Sequence, residues 1–83
     1  MVYVLYSESF GKYYVGVTND LERRIYEHNH GKTKSTKPFV PWVLAYKEEF
    51  TTFTEARKRE QYLKSAAGRR WRKKHIRPRS STG

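Results

Sequence analysis

The sequence has little or none of several features that mark particular classes of protein. It contains no cysteine, which excludes disulfide bonds, thiolate nucleophiles, iron–sulfur clusters and zinc sites made of cysteine. It has no run of about 18 apolar residues, so no segment is expected to span a membrane, and no signal peptide is recognisable. We therefore expect a soluble protein of the cytoplasm with no membrane partner.

Acidic residues are also scarce. The 83 residues include 18 Lys and Arg but only 8 Asp and Glu, which gives a formal net charge of +10. Such an excess predicts a polyanionic partner, most often nucleic acid. It is concentrated in residues 66–83, which hold no acid. The nucleic-acid-binding candidates in this basic arm are Arg69, Arg70, Arg72, Lys73 and Lys74.

The strand pattern is clearest near the N-terminus. Residues 2–6 and 13–17 are rich in β-branched and aromatic residues, and residues 7–11 between them have turn composition. This arrangement predicts an antiparallel hairpin, and residues 42–46 predict a third strand. The length allows one domain with a small core, since such a chain buries only about 60% of its unfolded surface.

Two capping patterns predict helices. Asn19 with Glu22 forms a loose capping box, and Gly31 is a suitable end for the first helix. Thr52 with Glu55 forms a second box. The apolar stripe of the second helix consists of Phe53, Ala56 and Leu63.

The C-terminal part of the chain predicts a third, short helix. Residues 66–68 are expected to break the second helix, and Trp71 and Ile76 are the large apolar anchors of a helix over residues 69–76. The element order is then β-β-α-β-α-α, an α+β domain with a small three-stranded antiparallel sheet flanked by helices. We expect this domain to cover residues 1–76 and a disordered basic tail to follow over residues 77–83.

Polar residues interrupt the apolar stripe of the first helix. Arg24 and His28 share a helix face with Leu21 and Ile25, at the spacing of a buried stripe. A structural interpretation is an arginine stem that covers the core beside a neutral, partly buried histidine. A functional interpretation places both side chains in a site.

Glu60 interrupts the stripe of the second helix in the same way. A buried carboxylate needs a cation, because its burial without a partner costs several kcal/mol. The partner is a basic side chain in one interpretation, with Arg57, Arg59, Lys64 and Arg24 as the candidates. In the other, Glu60 is a metal ligand or a general base. Spacing alone does not separate the two.

These residues, together with two tyrosines, resemble a known family. Tyr3 and Tyr14 alone read as strand packing residues, but Tyr3, Tyr14-Val15-Gly16, Arg24, His28 and Glu60 follow one another as in the GIY-YIG nucleases. Residues 14–24 and 56–64 are similar to the small stand-alone bacterial members. Met1-Val2-Tyr3 replaces the first Gly-Ile-Tyr. The lysine that excision-type members carry soon after the second motif is absent, so its role is empty or passes to Lys12, Lys32 or Lys34.

The resemblance implies a role for each residue. Tyr3 or Tyr14 helps to activate the attacking water, and His28 lies beside that water or the tyrosine. Arg24 stabilises the transition-state charge, and Glu60 holds a divalent cation. A single carboxylate points to Mg²⁺ or Mn²⁺ rather than zinc.

The function implied is a metal-dependent endonuclease that cleaves DNA, acts without a small-molecule cofactor, and selects DNA structure rather than sequence. A monomer is favoured. One alternative is a catalytically weak or inactive nucleic-acid-binding module that uses the basic arm. Another is a basic protein that binds ribosomal RNA or an acidic protein.

Overall fold

A computed structural model describes residues 1–76 of the chain, so the tail predicted for residues 77–83 lies outside the described residues. The strands are β1 (Val2–Ser7), β2 (Lys12–Val17) and β3 (Val43–Glu48). The helices are α1 (Leu21–Asn29), α2 (Phe53–Lys64) and α3 (Ala66–His75), with a short 3-10 helix at Lys37–Phe39. The predicted element order and the α+β class are confirmed.

The sheet has strand order β2-β1-β3, and both pairings are antiparallel. The central strand β1 alternates its side chains between two packed faces. Val2 and Val4 pack on one face against Ala56 and Leu63 of α2. Tyr3 and Leu5 belong to a second cluster on the other face, with Trp42 and side chains of α1. The sheet therefore lies between two apolar layers, which explains why β1 is the most deeply buried strand.

The start of α1 differs from the prediction by one residue. Asp20, not Asn19, is the N-cap, and its Oδ1 accepts a hydrogen bond from the backbone N–H of Arg23 at 3.2 Å. Both side chains can cap a helix, so composition does not distinguish them. The predicted end is close: α1 stops at Asn29, and Gly31 has a φ of +71°, which favours glycine.

The junction of α2 and α3 lies before the predicted break. Thr52 caps α2 as expected, but α2 ends at Lys64, and Ser65 is the cap for both helices. The hydroxyl of Ser65 donates to the carbonyl of Tyr62 at 2.6 Å and accepts from the N–H of Gly68 at 3.2 Å. Gly68 does not break α2 but lies in the first turn of α3, where a Cβ would overlap the Tyr62 carbonyl oxygen. Glycine thus permits the close approach of α3 to the end of α2.

The predicted stripe of α2 is only partly correct. Ala56 and Leu63 are buried, as expected, but Phe53 is 65% exposed. Phe53 is the first residue of α2 and lines a surface cleft. The expected anchors of α3 do pack against the core, Ile76 fully and Trp71 partly.

Candidate active site

A cleft of about 360 Å³ opens between the sheet, α1 and α2, and four of the five predicted catalytic residues line it. They are Tyr3, Tyr14, Arg24 and Glu60. The fifth, His28, is completely buried and is hydrogen bonded to Tyr3. The remaining lining residues are Gly16, Val17, Phe53, Arg57 and Lys64.

The strand register places the two tyrosines on one face of the sheet. Tyr3 of β1 lies opposite Gly16 of β2, and Leu5 lies opposite Tyr14. Since directly opposed residues point to the same face, all four side-chain positions share it. The rings of Tyr3 and Tyr14 are 6.2 Å apart between centroids. The two strand motifs therefore supply one aromatic wall of the cleft.

His28 is held by hydrogen bonds at both ring nitrogens. Its Nε2 lies 3.0 Å from the Tyr3 hydroxyl, and its Nδ1 lies 2.8 Å from the hydroxyl of Thr36. Burial lowers the pKa of His28, and the nearby positive charge of Arg24 lowers it further. His28 is therefore a neutral imidazole near neutral pH.

Tyr3 is a buried phenol at rest. Burial raises the pKa of Tyr3, and the adjacent Arg24 guanidinium opposes this by hydrogen bonding and by its charge. The hydroxyl thus has a cation on one side and an uncharged imidazole nitrogen on the other. An anionic Tyr3 oxygen has two groups positioned to stabilise it, Arg24 directly and His28 once protonated.

Arg24 is oriented by an acid of its own helix. Its Nη1 donates to Glu27 at 2.7 Å, and its side chain is 33% exposed at the cleft. This hydrogen bond is the main reason that the pKa of Glu27 is lowered. The guanidinium therefore remains accessible to a ligand in the cleft while one edge of it is fixed.

Glu60 has two basic partners on its own helix. Lys64 Nζ lies 3.0 Å from Oε2, and Arg57 Nε lies 3.8 Å from Oε1. Arg59, another candidate partner, pairs instead with Glu48 at 3.1 Å. Arg57 and Lys64 also line the cleft. The sequence predicted them as ion-pair partners of Glu60 but not as residues of the site. Their i−3 and i+4 spacing from Glu60 is the signal that identifies them.

The acidic ligands available in the cleft are few. Within residues 1–76, no three His, Cys, Asp or Glu side chains are close enough together to hold a metal ion jointly. Glu60 is the one carboxylate among the residues that line the cleft. This donor set fits Mg²⁺, which retains several waters and binds through one or two carboxylates plus substrate phosphate. It does not fit zinc, which requires three or four protein ligands.

The basic candidates outside the cleft fall into two groups. Most are exposed, as expected for contacts with a polyanion, but Arg72 is 9% exposed and differs from the expectation. Its Nε donates to the carbonyl of Leu63 at 3.1 Å, and its guanidinium lies 5.0 Å from the Tyr13 ring centroid. Arg72 therefore joins α3 to the end of α2. The exposed residues are Lys12, Lys32, Lys34, Arg69, Arg70, Lys73 and Lys74.

In the part of the chain that the structure describes, no helix is long and apolar enough to cross a membrane.

Known proteins match most of this chain. The model of the GIY-YIG catalytic domain matches residues 1–75, which include all five catalytic candidates. A UPF0213 protein from Staphylococcus saprophyticus is 45% identical over 56 residues, 66% of this chain and 68% of the relative. A UPF0213 protein from Halobacterium salinarum is 42% identical over 57 residues, 68% of this chain and 74% of the relative. No solved structure matches the chain.

Proposed function

The chain belongs to the GIY-YIG family, whose nucleases act on DNA, and on that premise we propose that it is an endonuclease that hydrolyses DNA phosphodiester bonds. The observation that carries this proposal is the presence of Tyr3, Arg24 and Glu60 in one cleft, with His28 behind Tyr3. Hydrolysis of a phosphodiester needs an activated water, a positive group at the phosphate oxygens and stabilisation of the leaving oxygen. Tyr3 and Arg24 meet the first two needs, and Glu60 would hold the cation that meets the third.

Tyr3 is the better candidate of the two tyrosines for activating the water. Tyr3 is among the residues that line the cleft, and its hydroxyl has His28 Nε2 as a hydrogen-bond partner at 3.0 Å. Tyr3 accepts a proton from the attacking water as its own proton moves to His28. Tyr14 packs against this pair, with its ring centroid 4.7 Å from that of His28, and forms a wall of the cleft.

Arg24 is the group that stabilises charge on the phosphate. A guanidinium stays protonated at all working pH values, and its planar donors match phosphate oxygens. Glu27 holds one edge of it, and the cleft exposes the remainder. Arg57 and Lys64 add two further positive charges on the opposite wall, which belongs to α2.

A divalent cation, Mg²⁺ or Mn²⁺, completes the proposed site, in keeping with the divalent metal ions that nucleases of this family generally use. Glu60 is the residue that would hold it, with water and phosphate oxygens as the other ligands. When bound, the cation polarises the phosphate and stabilises the leaving oxygen. Lys64 and Arg57 pair with the same carboxylate.

The exposed basic residues of α3 provide the proposed grip on DNA outside the cleft. Arg69, Arg70, Lys73 and Lys74 are exposed on this helix, which contains no acidic residue. Contacts from such a cluster to phosphates position a protein on DNA without specifying its sequence. We therefore propose that the protein selects DNA by its structure rather than by its sequence. We also propose that it acts as a monomer and in the cytoplasm.

The proposal is tested by a cleavage screen. Nicked, flapped and branched DNA are incubated in Mg²⁺ or Mn²⁺ with the wild-type protein, with Glu60→Gln and with Glu49→Gln. Glu49→Gln is the matched control, because Glu49 is an exposed acid that directly follows β3. We expect wild type and Glu49→Gln to cut at least one substrate, and Glu60→Gln to be at least a hundredfold slower. If wild type and Glu60→Gln leave every substrate equally intact, catalysis is the wrong function.

A second function, binding of nucleic acid without turnover, is favoured by the separation of the α3 residues from the cleft. No α3 residue lines the cleft. In that case Arg24→Ala and Glu60→Ala keep wild-type affinity for DNA, whereas neutralising Arg69, Arg70, Lys73 and Lys74 weakens it strongly. Fluorescence anisotropy with a labelled duplex measures both.

A further inference from the structure

The proton of neutral His28, the histidine behind Tyr3, can lie on either of the two ring nitrogens. Both nitrogens of His28 are within hydrogen-bonding distance of a hydroxyl, Tyr3 at Nε2 and Thr36 at Nδ1. A neutral imidazole has one N–H and one lone pair. If Nε2 carries the hydrogen, His28 cannot accept a proton from Tyr3.

The contacts of Thr36 and Tyr3 together point to one answer. The Thr36 hydroxyl donates to the carbonyl oxygen of Thr33 at 3.3 Å, although that oxygen also accepts from the N–H groups of Thr36 at 3.2 Å and Lys37 at 3.0 Å. On the other side of the ring, the Tyr3 oxygen accepts a hydrogen bond from Arg24, which leaves the Tyr3 hydrogen to face His28. With the Thr36 hydrogen directed to Thr33 and the Tyr3 hydrogen directed to Nε2, the proton of His28 is on Nδ1.

Thr36 is fixed firmly enough to enforce this arrangement. It is 1% exposed, although it lies in the loop between α1 and β3. Its carbonyl accepts a hydrogen bond from the indole Nε1 of the buried Trp42 at 2.9 Å, and its N–H donates to Thr33 at 3.2 Å. A change of ring tautomer would require the Thr36 hydroxyl to give up Thr33 and turn toward His28.

We infer that Thr36 is a positioning residue that holds His28 in the Nδ1–H tautomer, so that Nε2 accepts the phenolic proton of Tyr3. The inference rests on the proposed function for its catalytic consequence, but the tautomer itself does not depend on activity. The second hydrogen bond of a histidine is what selects its tautomer.

The protons balance when solvent supplies the one that the leaving oxygen takes up. The O–H bond of Tyr3 breaks and an N–H bond forms at Nε2, while the Tyr3 oxygen takes a proton from the attacking water. After hydrolysis, the hydroxyl of Tyr3 releases a proton to solvent and recovers one from Nε2. The Nδ1–H bond to Thr36 is the same before and after, because both neutral and protonated forms of this tautomer donate from Nδ1.

The test is direct observation of the tautomer by long-range ¹H–¹⁵N NMR of histidine-labelled protein. Wild type and Thr36→Ser are expected to show Nδ1–H at His28. Thr36→Val removes the acceptor at nearly constant volume and is expected to shift the ring to Nε2–H, since an N–H facing a methyl group would be unsatisfied. Thr54→Val, at an exposed position of α2, is the matched control and keeps the wild-type tautomer.

Cleavage assays supply the second readout. We expect Thr36→Val to lower kcat at least tenfold with little change in KM, and Thr36→Ser to restore most of it. An Nε2–H tautomer in wild-type protein overturns the inference, as does an unchanged tautomer in a folded Thr36→Val. If Thr36→Val does not fold, the wild-type tautomer alone decides. If wild type cleaves no DNA but shows Nδ1–H, the tautomer assignment stands while the proposed function fails.

Discussion

The hydroxyl of Tyr3 occupies the space that a side chain at residue 16 would fill. A Cβ added to Gly16 would lie 2.5 Å from the Tyr3 hydroxyl oxygen and 2.6 Å from the ring carbon that carries it. The two residues face each other across β1 and β2. Glycine at this position is thus what allows the tyrosine ring to cross the neighbouring strand and reach both the cleft and His28.

Gly16→Ala is therefore expected to displace Tyr3. Overpacking of a closely packed site costs about 1–3 kcal/mol of unfolding free energy, and misplacement of Tyr3 should reduce cleavage by at least tenfold. Urea denaturation and kcat measure the two effects. Gly11→Asn is the control: Gly11 has open space around it, and Asn tolerates its φ of +61°. Full activity in Gly16→Ala would show that the ring position is not required.

The buried His28 should make stability depend on pH. Burial and then the charge of Arg24 lower its pKa, Glu27 acts in the opposite direction, and the rings of Tyr3 and Tyr14 also face it. The unfolded chain, with a pKa near 6.5, binds the proton more readily. The stability from neutral His28 is fully present above about pH 6.5 and is lost as the pH falls toward the folded pKa, by up to about 1.4 kcal/mol per pH unit.

Urea denaturation from about pH 7.5 to 5.5 measures this slope, and His28→Gln should flatten it. The control is His30→Gln, since His30 is exposed at the end of α1. The lowered pKa of Glu27 does not interfere, because its contribution is lost only as the pH falls below 4.5, the ordinary value for this group. An equal slope in wild type and His28→Gln would contradict a neutral buried imidazole.

The fold was accessible from the sequence because its strands and caps are local patterns. The hairpin and the Thr52 cap depend on neighbouring residues alone, and both were predicted. The start of α3 was not, because Ser65 and Gly68 act through the contact between two helices. The exposure of Phe53 also depends on where α2 begins relative to the sheet, which helical spacing does not describe.

The residues of the candidate site were likewise predictable only where a local sequence pattern marked them. Arg24, His28 and Glu60 were identified because polar residues interrupted apolar stripes, and the structure brings Arg24 and Glu60 into one cleft. Thr36 carried no such signal, since it lies in a polar loop and meets His28 only in the folded chain. The burial of Arg72 was not predicted, because a charge count does not distinguish an exposed cation from one directed at a buried carbonyl, and its contact with DNA stays a prediction.

Arg72 should behave differently from its basic neighbours on α3. Arg72→Met removes the donor to the Leu63 carbonyl and is expected to lower the unfolding free energy by about 1–3 kcal/mol. Lys73→Met, at an exposed position, should leave stability within about 0.5 kcal/mol. It should instead weaken DNA binding and reduce the salt slope by about one. Urea denaturation and anisotropy at several salt concentrations compare the pair. The opposite pattern would place Arg72 at the DNA.

Lys64 should compete with a divalent cation for Glu60. Its Nζ lies 3.0 Å from the carboxylate, and 53% of its side chain is exposed. Such partly exposed ion pairs contribute about 0.2–1 kcal/mol, so Lys64→Gln should raise the affinity of the DNA-free protein for Mn²⁺ by up to about fivefold. Mn²⁺ titration followed by electron paramagnetic resonance measures this without any need for cleavage.

The matched control is Arg59→Gln, which removes the same charge from α2 but at a residue paired with Glu48 rather than Glu60. Because both variants lower the net charge of the protein by one, a general electrostatic effect would raise Mn²⁺ affinity equally in the two. A rise confined to Lys64→Gln, and abolished when Glu60→Gln is added, identifies Glu60 as the shared ligand of Lys64 and the cation. Mn²⁺ binding that is indifferent to Glu60→Gln would move the metal site away from this carboxylate.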